Sequence, residues 1–217
     1  MADSYYRRKN GFFQRMGLNN LFILINVIVF LVVFPLIAFI GENTIKYIAL
    51  TPSLFINGFF WTLLTSMFMH GGFSHLFVNM VSMFFVGNFV ERLVGKKRYL
   101  WFYLISGVAG GLFFVSFAFL GQYVPGGEKI FGGINTPAVG ASGALFGLGG
   151  LLAILIPKLK VLVFFIIPMP MWMAMAVLMF GLWAISIAAG LPVGNTAHFG
   201  GLLVGVIYGI YLRSKYS

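Results

Sequence analysis

The sequence predicts an all-α membrane protein with six transmembrane helices and both termini in the cytoplasm. Hydrophobic residues make up 60% of the 217 residues and charged residues only 8%, which is more apolar surface than a soluble domain of this size buries. The length suits about six spans of ~20 residues with short connections. We therefore expect one membrane domain over 1–217, with a basic cytoplasmic segment at 1–18, a helical core at 19–213 and a cytoplasmic tail at 214–217.

The predicted spans follow the apolar stretches of the chain. They are, in order, Leu21–Ile40, Phe73–Leu93, Tyr99–Leu120, Gly140–Ile156, Met171–Ala188 and Ala197–Leu212. The first contains Pro35, where we expect a kink or a local adjustment of the helix, and Pro157 closes the fourth.

The connecting segments differ in character. The segment 42–70 holds short apolar pieces interrupted by a Thr-Pro-Ser turn at 51–53, which predicts short helices lying in the membrane interface. Residues 121–138 are rich in glycine and proline and predict a loop. A second loop is predicted at 191–196, before the last span.

The apolar run 161–189 is longer than one crossing requires. Pro168 and Pro170 would disrupt a continuous helix through it. We therefore predict a short β-rich surface segment at Val161–Ile167, followed by the fifth span.

The basic residues support this topology. With the N-terminus in the cytoplasm, twelve of the fourteen Lys and Arg residues fall on the cytoplasmic side, and only Lys46 and Lys129 fall outside. Because the basic residues stand at the ends of apolar runs, topology explains the net charge of +10, and we expect no nucleic-acid partner. The chain has no cysteine, which excludes disulfides, thiolate metal sites and a cysteine nucleophile.

Three polar residues share one predicted depth in the membrane. His75, Ser142 and His198 lie near the outer ends of spans 2, 4 and 6, all roughly 22–24 Å above the cytoplasmic boundary at ~1.5 Å per helical residue. A lone intramembrane histidine, or a serine between glycines, is often a packing residue. Tight packing does not explain the shared depth, so the sequence predicts a functional site there.

Glycine spacing predicts that two of these spans approach closely. Gly201 and Gly205 form a G-x-x-x-G pattern on nearly the same helical face as His198, and Gly143 and Gly147 repeat that spacing in span 4. Backbones that meet through such faces come unusually close. The Ser142 Oγ and a ring nitrogen of His198 could then come within the ~2.6–3.2 Å that nucleophile activation requires.

The acidic residues do not complete a catalytic triad. They are Asp3, Glu42, Glu91 and Glu128. By the predicted topology none lies at the level of Ser142, so a Ser–His dyad remains. We expect packing and neighbouring dipoles to hold His198.

Acyl transfer also requires donors for a developing oxyanion. His75 and Asn79 stand at i and i+4 near the outer end of span 2, and both can donate hydrogen bonds. The Ser142 N–H is free as well, because it lies in the first turn of its helix. The alternative is that His75 and Asn79 are a polar pair bonding between helices.

Together these residues resemble the rhomboid family of intramembrane serine proteases over most of the chain. The matching motifs are Gly140-Ala141-Ser142-Gly143 for G-x-S-G, His198, Gly201 and Gly205 for H-x-x-G-x-x-x-G, His75 and Asn79 for H-x-x-x-N, and Gly87, Glu91 and Gly95 for G-x-x-x-E-x-x-x-G. Several independent motifs in the expected order make the resemblance specific. It implies a rhomboid-like bundle of six transmembrane helices.

The resemblance also implies roles for individual residues. Ser142 would be the nucleophile, His198 the general base and then acid, and His75, Asn79 and the Ser142 amide the oxyanion site. Gly140, Gly143, Gly201 and Gly205 would support the site, while His70 would be structural. Segment 42–70 would be the membrane-embedded first loop, loop 190–196 would cap the site, and span 5 would act as a lateral gate.

Two positions depart from the family pattern. Trp61 is followed by Thr62 where many members have arginine, and Phe146 stands four residues after the serine, where tyrosine is frequent. Phe146 can still stack beneath the imidazole of His198, without offering a hydroxyl. Neither departure removes a catalytic group.

The preferred hypothesis is thus a serine endopeptidase that cleaves membrane proteins in or near their transmembrane segments. Its partners would be transmembrane protein substrates and the lipid bilayer, it would need no metal or cofactor, and we expect it in the plasma membrane. Its oligomeric state is left open. One alternative is a rhomboid-like binding or chaperone protein without catalysis, and a second is a small transporter in which His75 and His198 relay protons.

Overall fold

The computed structural model describes residues 16–191 and 194–216. Most of the predicted basic segment 1–18 and the last residue of the predicted tail therefore lie outside the described residues. So do two residues of the predicted loop 191–196.

The described chain is mainly helical. In chain order the α-helices are α1 (Leu18–Ile40), α2 (Pro52–Ile56), α3 (Thr62–Thr65), α4 (Phe73–Val94), α5 (Lys96–Leu120), α6 (Gly127–Phe131), α7 (Ser142–Leu155), α8 (Met171–Ala189) and α9 (Asn195–Tyr216). Helices α4 and α8 each contain one π-helical stretch, at Met83–Gly87 and Val177–Gly181. Helix α1 continues through Pro35.

The protein is a multi-pass integral membrane protein. Within the described residues, five helices are long and apolar enough to cross a membrane, namely α1, α4, α5, α8 and α9. Helix α7 is apolar but has only 14 residues. The count of six spans and the cytoplasmic location of the termini therefore stay predictions.

Helix α1 begins earlier than predicted because a carboxylate from another helix caps it. Glu91 accepts hydrogen bonds from the backbone N–H groups of Leu18 and Asn19, at 2.9 and 2.8 Å. Asn19 in turn accepts a 2.6 Å hydrogen bond from the Tyr99 hydroxyl. A Cβ at Gly87 would overlap the Asn19 side chain. The G-x-x-x-E-x-x-x-G motif thus joins α4 to the start of α1.

The segment 42–70 forms short helical pieces, as predicted. A 3-10 helix at Glu42–Tyr47 precedes α2 and α3, and a 3-10 turn at Ser66–Phe68 follows them. Residues 121–138, predicted as a loop, differ because they contain α6 and a 3-10 turn at Gly121–Tyr123. Glycines permit this compaction, since a Cβ at Gly127 would overlap the backbone of Gly121.

A β-hairpin is the exception to the all-α prediction. Strands β1 (Lys160–Val163) and β2 (Ile167–Pro170) pair antiparallel, with Leu162 opposite Pro168. The prediction of a β-rich segment at Val161–Ile167 is confirmed in kind, but the hairpin extends through both prolines. A two-stranded hairpin tolerates proline at positions whose N–H would point away from the partner strand.

Helix α7 occupies the centre of the bundle, packed against α5 and α9. Nine of its residues are buried, including Leu148 and Leu151, which are fully enclosed. Outer helices carry the exposed apolar side chains, such as Leu31 of α1 at 65% exposure. Such a surface is suited to lipid, and the arrangement explains why α7 can be short and glycine-rich while the outer helices are long and bulky.

Candidate active site

Ser142 and His198 lie in direct contact. The His198 Nε2 and Ser142 Oγ atoms are 2.8 Å apart. Ser142 is the first residue of α7, and His198 lies in the first turn of α9, where its backbone N–H bonds to the Gly194 carbonyl at 3.0 Å. The distance is within the reach of a serine and its activating base.

Close backbone approach between α7 and α9 produces this contact. A Cβ at Gly201 would overlap the Gly143 carbonyl oxygen, and a Cβ at Gly205 would overlap that of Gly147. On the neighbouring helix α5, a Cβ at Gly110 would lie 2.7 Å from the Ala197 carbonyl oxygen. Only glycine allows helices to meet this closely, so the glycine spacing of the sequence fixes the distance between the serine and the histidine.

The imidazole of His198 is held by an aromatic ring. Phe146 stacks against it with a centroid separation of 4.4 Å and an interplanar angle of 12°. His198 is buried, and its Nδ1 has no hydrogen-bond partner among the described residues. No described carboxylate therefore orients this ring. Glu128 does line the same cavity as Ser142, a placement that counting residues along the spans did not indicate.

His75 lies beside Ser142 across the backbone of Gly140. A Cβ at Gly140 would lie 2.8 Å from His75 Nε2 and 3.6 Å from Ser142 Oγ, and the φ of this residue is +122°. Both the left-handed conformation and the lack of space require glycine here. The chain before Ser142 can therefore pass between the two side chains.

Asn79 lies one helical turn after His75 in α4 and is buried. Its Nδ2 donates to the His75 carbonyl at 2.8 Å, which engages one of the two N–H bonds of the amide. The remaining N–H and the Ser142 backbone N–H are available as donors, since the first N–H groups of a helix have no intrahelical acceptor. The structure thus brings His75, Asn79 and Ser142 into one region.

His70 packs against this region from the preceding segment. Its ring centroid is 5.1 Å from that of His75, and the side chain is 3% exposed. Burial, with a smaller contribution from His75, lowers the pKa of His70 to about 4. His70 is therefore neutral near neutral pH and adds no charge beside His75.

The dyad opens into a large cavity of about 1080 Å³. Its walls include parts of α4, α7, α8 and the hairpin, with Val78, Gly149, Met175 and Leu162 among the lining residues. A cavity of this size exceeds what a single side chain needs, and it is large enough for several residues of a peptide.

Comparison with known proteins identifies the family. Residues 57–215 match the rhomboid domain. The chain belongs to the rhomboid family.

Three of the curated rhomboid relatives resemble between 42% and 76% of this chain. It is 32% identical to mitochondrial rhomboid protein 1 of Saccharomyces cerevisiae, over 70% of this chain and 41% of that protein. It is 33% identical to rhomboid protease GluP of Bacillus subtilis, over 76% of this chain and 28% of that protein. It is also 36% identical to inactive RHOMBOID-like protein 8 of Arabidopsis thaliana, over 42% of this chain and 21% of that protein. The chain thus spans less than half the length of each.

Two features of this rhomboid site were not anticipated from the sequence. The β-hairpin that lines the cavity was expected on the surface, although the prolines of the run 161–189 did signal a break. The predicted topology placed Glu128 away from the level of Ser142, whereas in the structure it lines the same cavity. The positions of the hairpin and of Glu128 depend on how the loops fold, and counting residues along the predicted spans does not predict that.

Proposed function

We propose that this chain is an intramembrane serine endopeptidase that hydrolyses peptide bonds in or near the transmembrane segments of other proteins. The observation that carries the proposal is the 2.8 Å contact between Ser142 Oγ and His198 Nε2 inside a membrane bundle. A serine hydroxyl in contact with an imidazole is the arrangement of an activated nucleophile. Membership of the rhomboid family, which includes a relative named a protease, supports the same function.

The proposed reaction follows from the positions of the donors and the base. Ser142 Oγ attacks the substrate carbonyl carbon while its proton moves to Nε2 of His198. The resulting oxyanion accepts hydrogen bonds from the Ser142 N–H, the free N–H of Asn79 and His75. The protonated imidazole then gives its proton to the leaving amine, and water hydrolyses the acyl-enzyme by the same steps.

Phe146 and the glycines take supporting roles in this proposal. The stacked ring restricts the imidazole to one orientation, which no described carboxylate does. Gly140, Gly143, Gly201 and Gly205 permit the backbone approach on which the Ser–His distance depends. The chemistry proposed uses no metal and no cofactor.

The substrate must be extended at the bond that is cut. A carbonyl inside a helix is hydrogen-bonded and shielded, so a transmembrane substrate has to unwind before Ser142 can attack it. We therefore propose substrates with small or helix-weakening residues near the scissile bond. Helix α8, which lines the cavity, would act as the lateral gate, and segment 190–196 as the cap. We propose the plasma membrane as the location.

A relative named inactive supports the alternative of a non-catalytic binding protein. Retention of both Ser142 and His198, in contact, favours catalysis in this chain. A proton-coupled transporter would use the histidines but would not need the serine. A Ser142→Ala variant separates these functions, because it would abolish proteolysis and leave transport largely intact.

The experiment is covalent labelling with a fluorophosphonate probe, together with cleavage of a test transmembrane substrate in bilayers. We expect Ser142→Ala and His198→Ala each to abolish labelling and cleavage. Ser106→Ala is the matched control, because Ser106 is a fully buried serine of α5 and lies outside the dyad. Absence of both labelling and cleavage in the folded wild-type protein would overturn the proposal, as would labelling that persists in Ser142→Ala.

A further inference from the structure

Asn195 lies one helical turn before His198 and is the first residue of α9. Side chains at positions i and i+3 of a helix are neighbours, with Cβ atoms about 5–6 Å apart. Asn195 is 4% exposed and His198 is 8% exposed. The amide of Asn195 and the imidazole of His198 are therefore buried neighbours at the start of the same helix.

A chain of hydrogen bonds fixes the orientation of the Asn195 amide. The Ser186 hydroxyl, in α8, donates to the Trp183 carbonyl at 2.8 Å. A hydroxyl has a single proton, so the Ser186 oxygen can only accept in its 2.6 Å contact with the Asn195 amide. The amide atom in that contact must therefore be Nδ2, the donor. This assignment directs Oδ1 of Asn195 away from Ser186.

Two buried polar atoms at this position are complementary in their chemistry. Asn195 Oδ1 and His198 Nδ1 both lack a hydrogen-bond partner among the described residues, and buried polar groups are rarely left unpaired. Nε2 of His198 has to be free of a proton to act as the base for Ser142, so a neutral imidazole carries its proton on Nδ1. Nδ1 is then a donor, and Oδ1 of Asn195 is an acceptor.

We propose that Asn195 is a positioning residue for His198, whose Nδ1–H donates to Asn195 Oδ1 directly or through one bridging water. This inference rests on the proposed protease function and names the group that orients its base. Stacking on Phe146 sets the plane of the imidazole but does not select the nitrogen that carries the proton. A hydrogen bond at Nδ1 selects the tautomer whose Nε2 can accept the proton of Ser142.

The same bond would assist the transfer of the proton. When the imidazole takes the proton of Ser142 it becomes a buried cation, and the oxygen end of the Asn195 amide dipole would stabilise that charge. In serine proteases with a triad an aspartate has this role. Here an amide held by Ser186 would replace the carboxylate, and it does so without placing a second charge inside the membrane bundle.

Saturation kinetics of fluorophosphonate labelling test the proposal, because they separate binding of the probe from the covalent step at Ser142. Asn195→Leu has a similar volume but no acceptor, whereas Asn195→Asp keeps an acceptor oxygen. Asn26→Leu is the matched control, because Asn26 is a fully buried asparagine of α1 and lies outside the site. Each rate constant is measured for the folded fraction of the variant.

We expect Asn195→Leu to reduce the rate constant of the covalent step by about 10–100-fold, as the loss of one hydrogen bond to a charged group would do. The probe concentration that gives half-saturation should stay unchanged. Asn195→Asp should recover most of the wild-type rate constant, and Asn26→Leu should retain it. A purely structural role of Asn195 would not give this pattern, because the rate constant of the folded fraction would not depend on an acceptor at position 195.

Other outcomes overturn the inference and leave the proposed function in place. A wild-type rate constant in Asn195→Leu would show that His198 does not need this acceptor. Equal losses in Asn195→Leu and Asn195→Asp would show that the acceptor oxygen is not the feature that matters. Absence of labelling in the folded wild-type protein would instead overturn the protease function.

Discussion

Replacing Gly201 with alanine should separate Ser142 from His198. The added Cβ would overlap the carbonyl oxygen of Gly143, which is backbone and cannot rotate away. Helix α9 must therefore move from α7 by about an ångström, and overpacking of this kind costs about 1–3 kcal/mol of stability. The same shift would take the 2.8 Å Ser–His contact beyond hydrogen-bond reach, and misplacement of a catalytic group by ~1 Å costs on the order of 100-fold in rate.

Two quantities are measured for each variant, the rate of labelling and the stability against denaturant. The rate of fluorophosphonate labelling at Ser142 reports the dyad, and denaturant unfolding in detergent reports the packing. Gly181→Ala in α8 is the matched control, because its added Cβ would meet only the Val177 side chain at 3.8 Å, an ordinary contact. Alanine is also the better helix former there by about 1 kcal/mol. If Gly201→Ala labelled as fast as Gly181→Ala and unfolded at the same denaturant concentration, the close-approach reasoning would be wrong.

Three further predictions follow from buried contacts. Glu91→Ala should lower the free energy of unfolding by about 2–4 kcal/mol, because it leaves the partly buried N–H of Leu18 and the buried N–H of Asn19 unpaired. The rate of Ser142 labelling in the folded fraction should stay unchanged. His70 is protonated near its ordinary pKa of 6.5 in the unfolded chain and only near 4 in the folded chain. The free energy of unfolding should therefore be undiminished above pH 6.5 and should fall by about 3 kcal/mol between pH 6.5 and 4. Denaturant titrations across this pH range should show a smaller fall in the His70→Phe variant. Phe146→Leu keeps an apolar side chain but removes the stacked ring, worth about 0.5–1.5 kcal/mol, so labelling should slow up to about tenfold, whereas Phe146→Tyr should retain the wild-type rate.

The sequence was most informative where helical periodicity and membrane depth act together. Counting residues from the predicted cytoplasmic boundary placed Ser142 and His198 at one depth, and the structure brings their side chains to 2.8 Å. The glycine spacing indicated which faces meet. Helix starts were less accurate, since α1 begins at Leu18 because of a carboxylate 73 residues away in the chain. A cap from another helix leaves no local signal at the position it stabilises.

Counting residues along the predicted spans did not predict how the loops fold. Apolar composition places a segment in or near the membrane, but it does not distinguish a helix, a strand and a folded loop when the run is short. Residues 121–138 fold because glycine backbones touch one another, as at Gly127 against Gly121, and no periodic pattern encodes that contact. Glu128 consequently lines the cavity, although its position in the sequence suggested a residue remote from the site.

Pro168 and Pro170 illustrate how one residue type can carry two kinds of information. Along the chain they indicate only that a helix cannot continue, and that prediction was confirmed. In the folded hairpin they also decide which strand edge can still form hydrogen bonds, and that depends on their pairing with Leu162 and Lys160. Had the register been shifted by one residue, the prolines would fall at positions where the ladder requires an N–H, and the hairpin would lose bonds between its own strands. Which edge of the hairpin can form further hydrogen bonds therefore depends on the register, a property that becomes visible only once the two strands are paired.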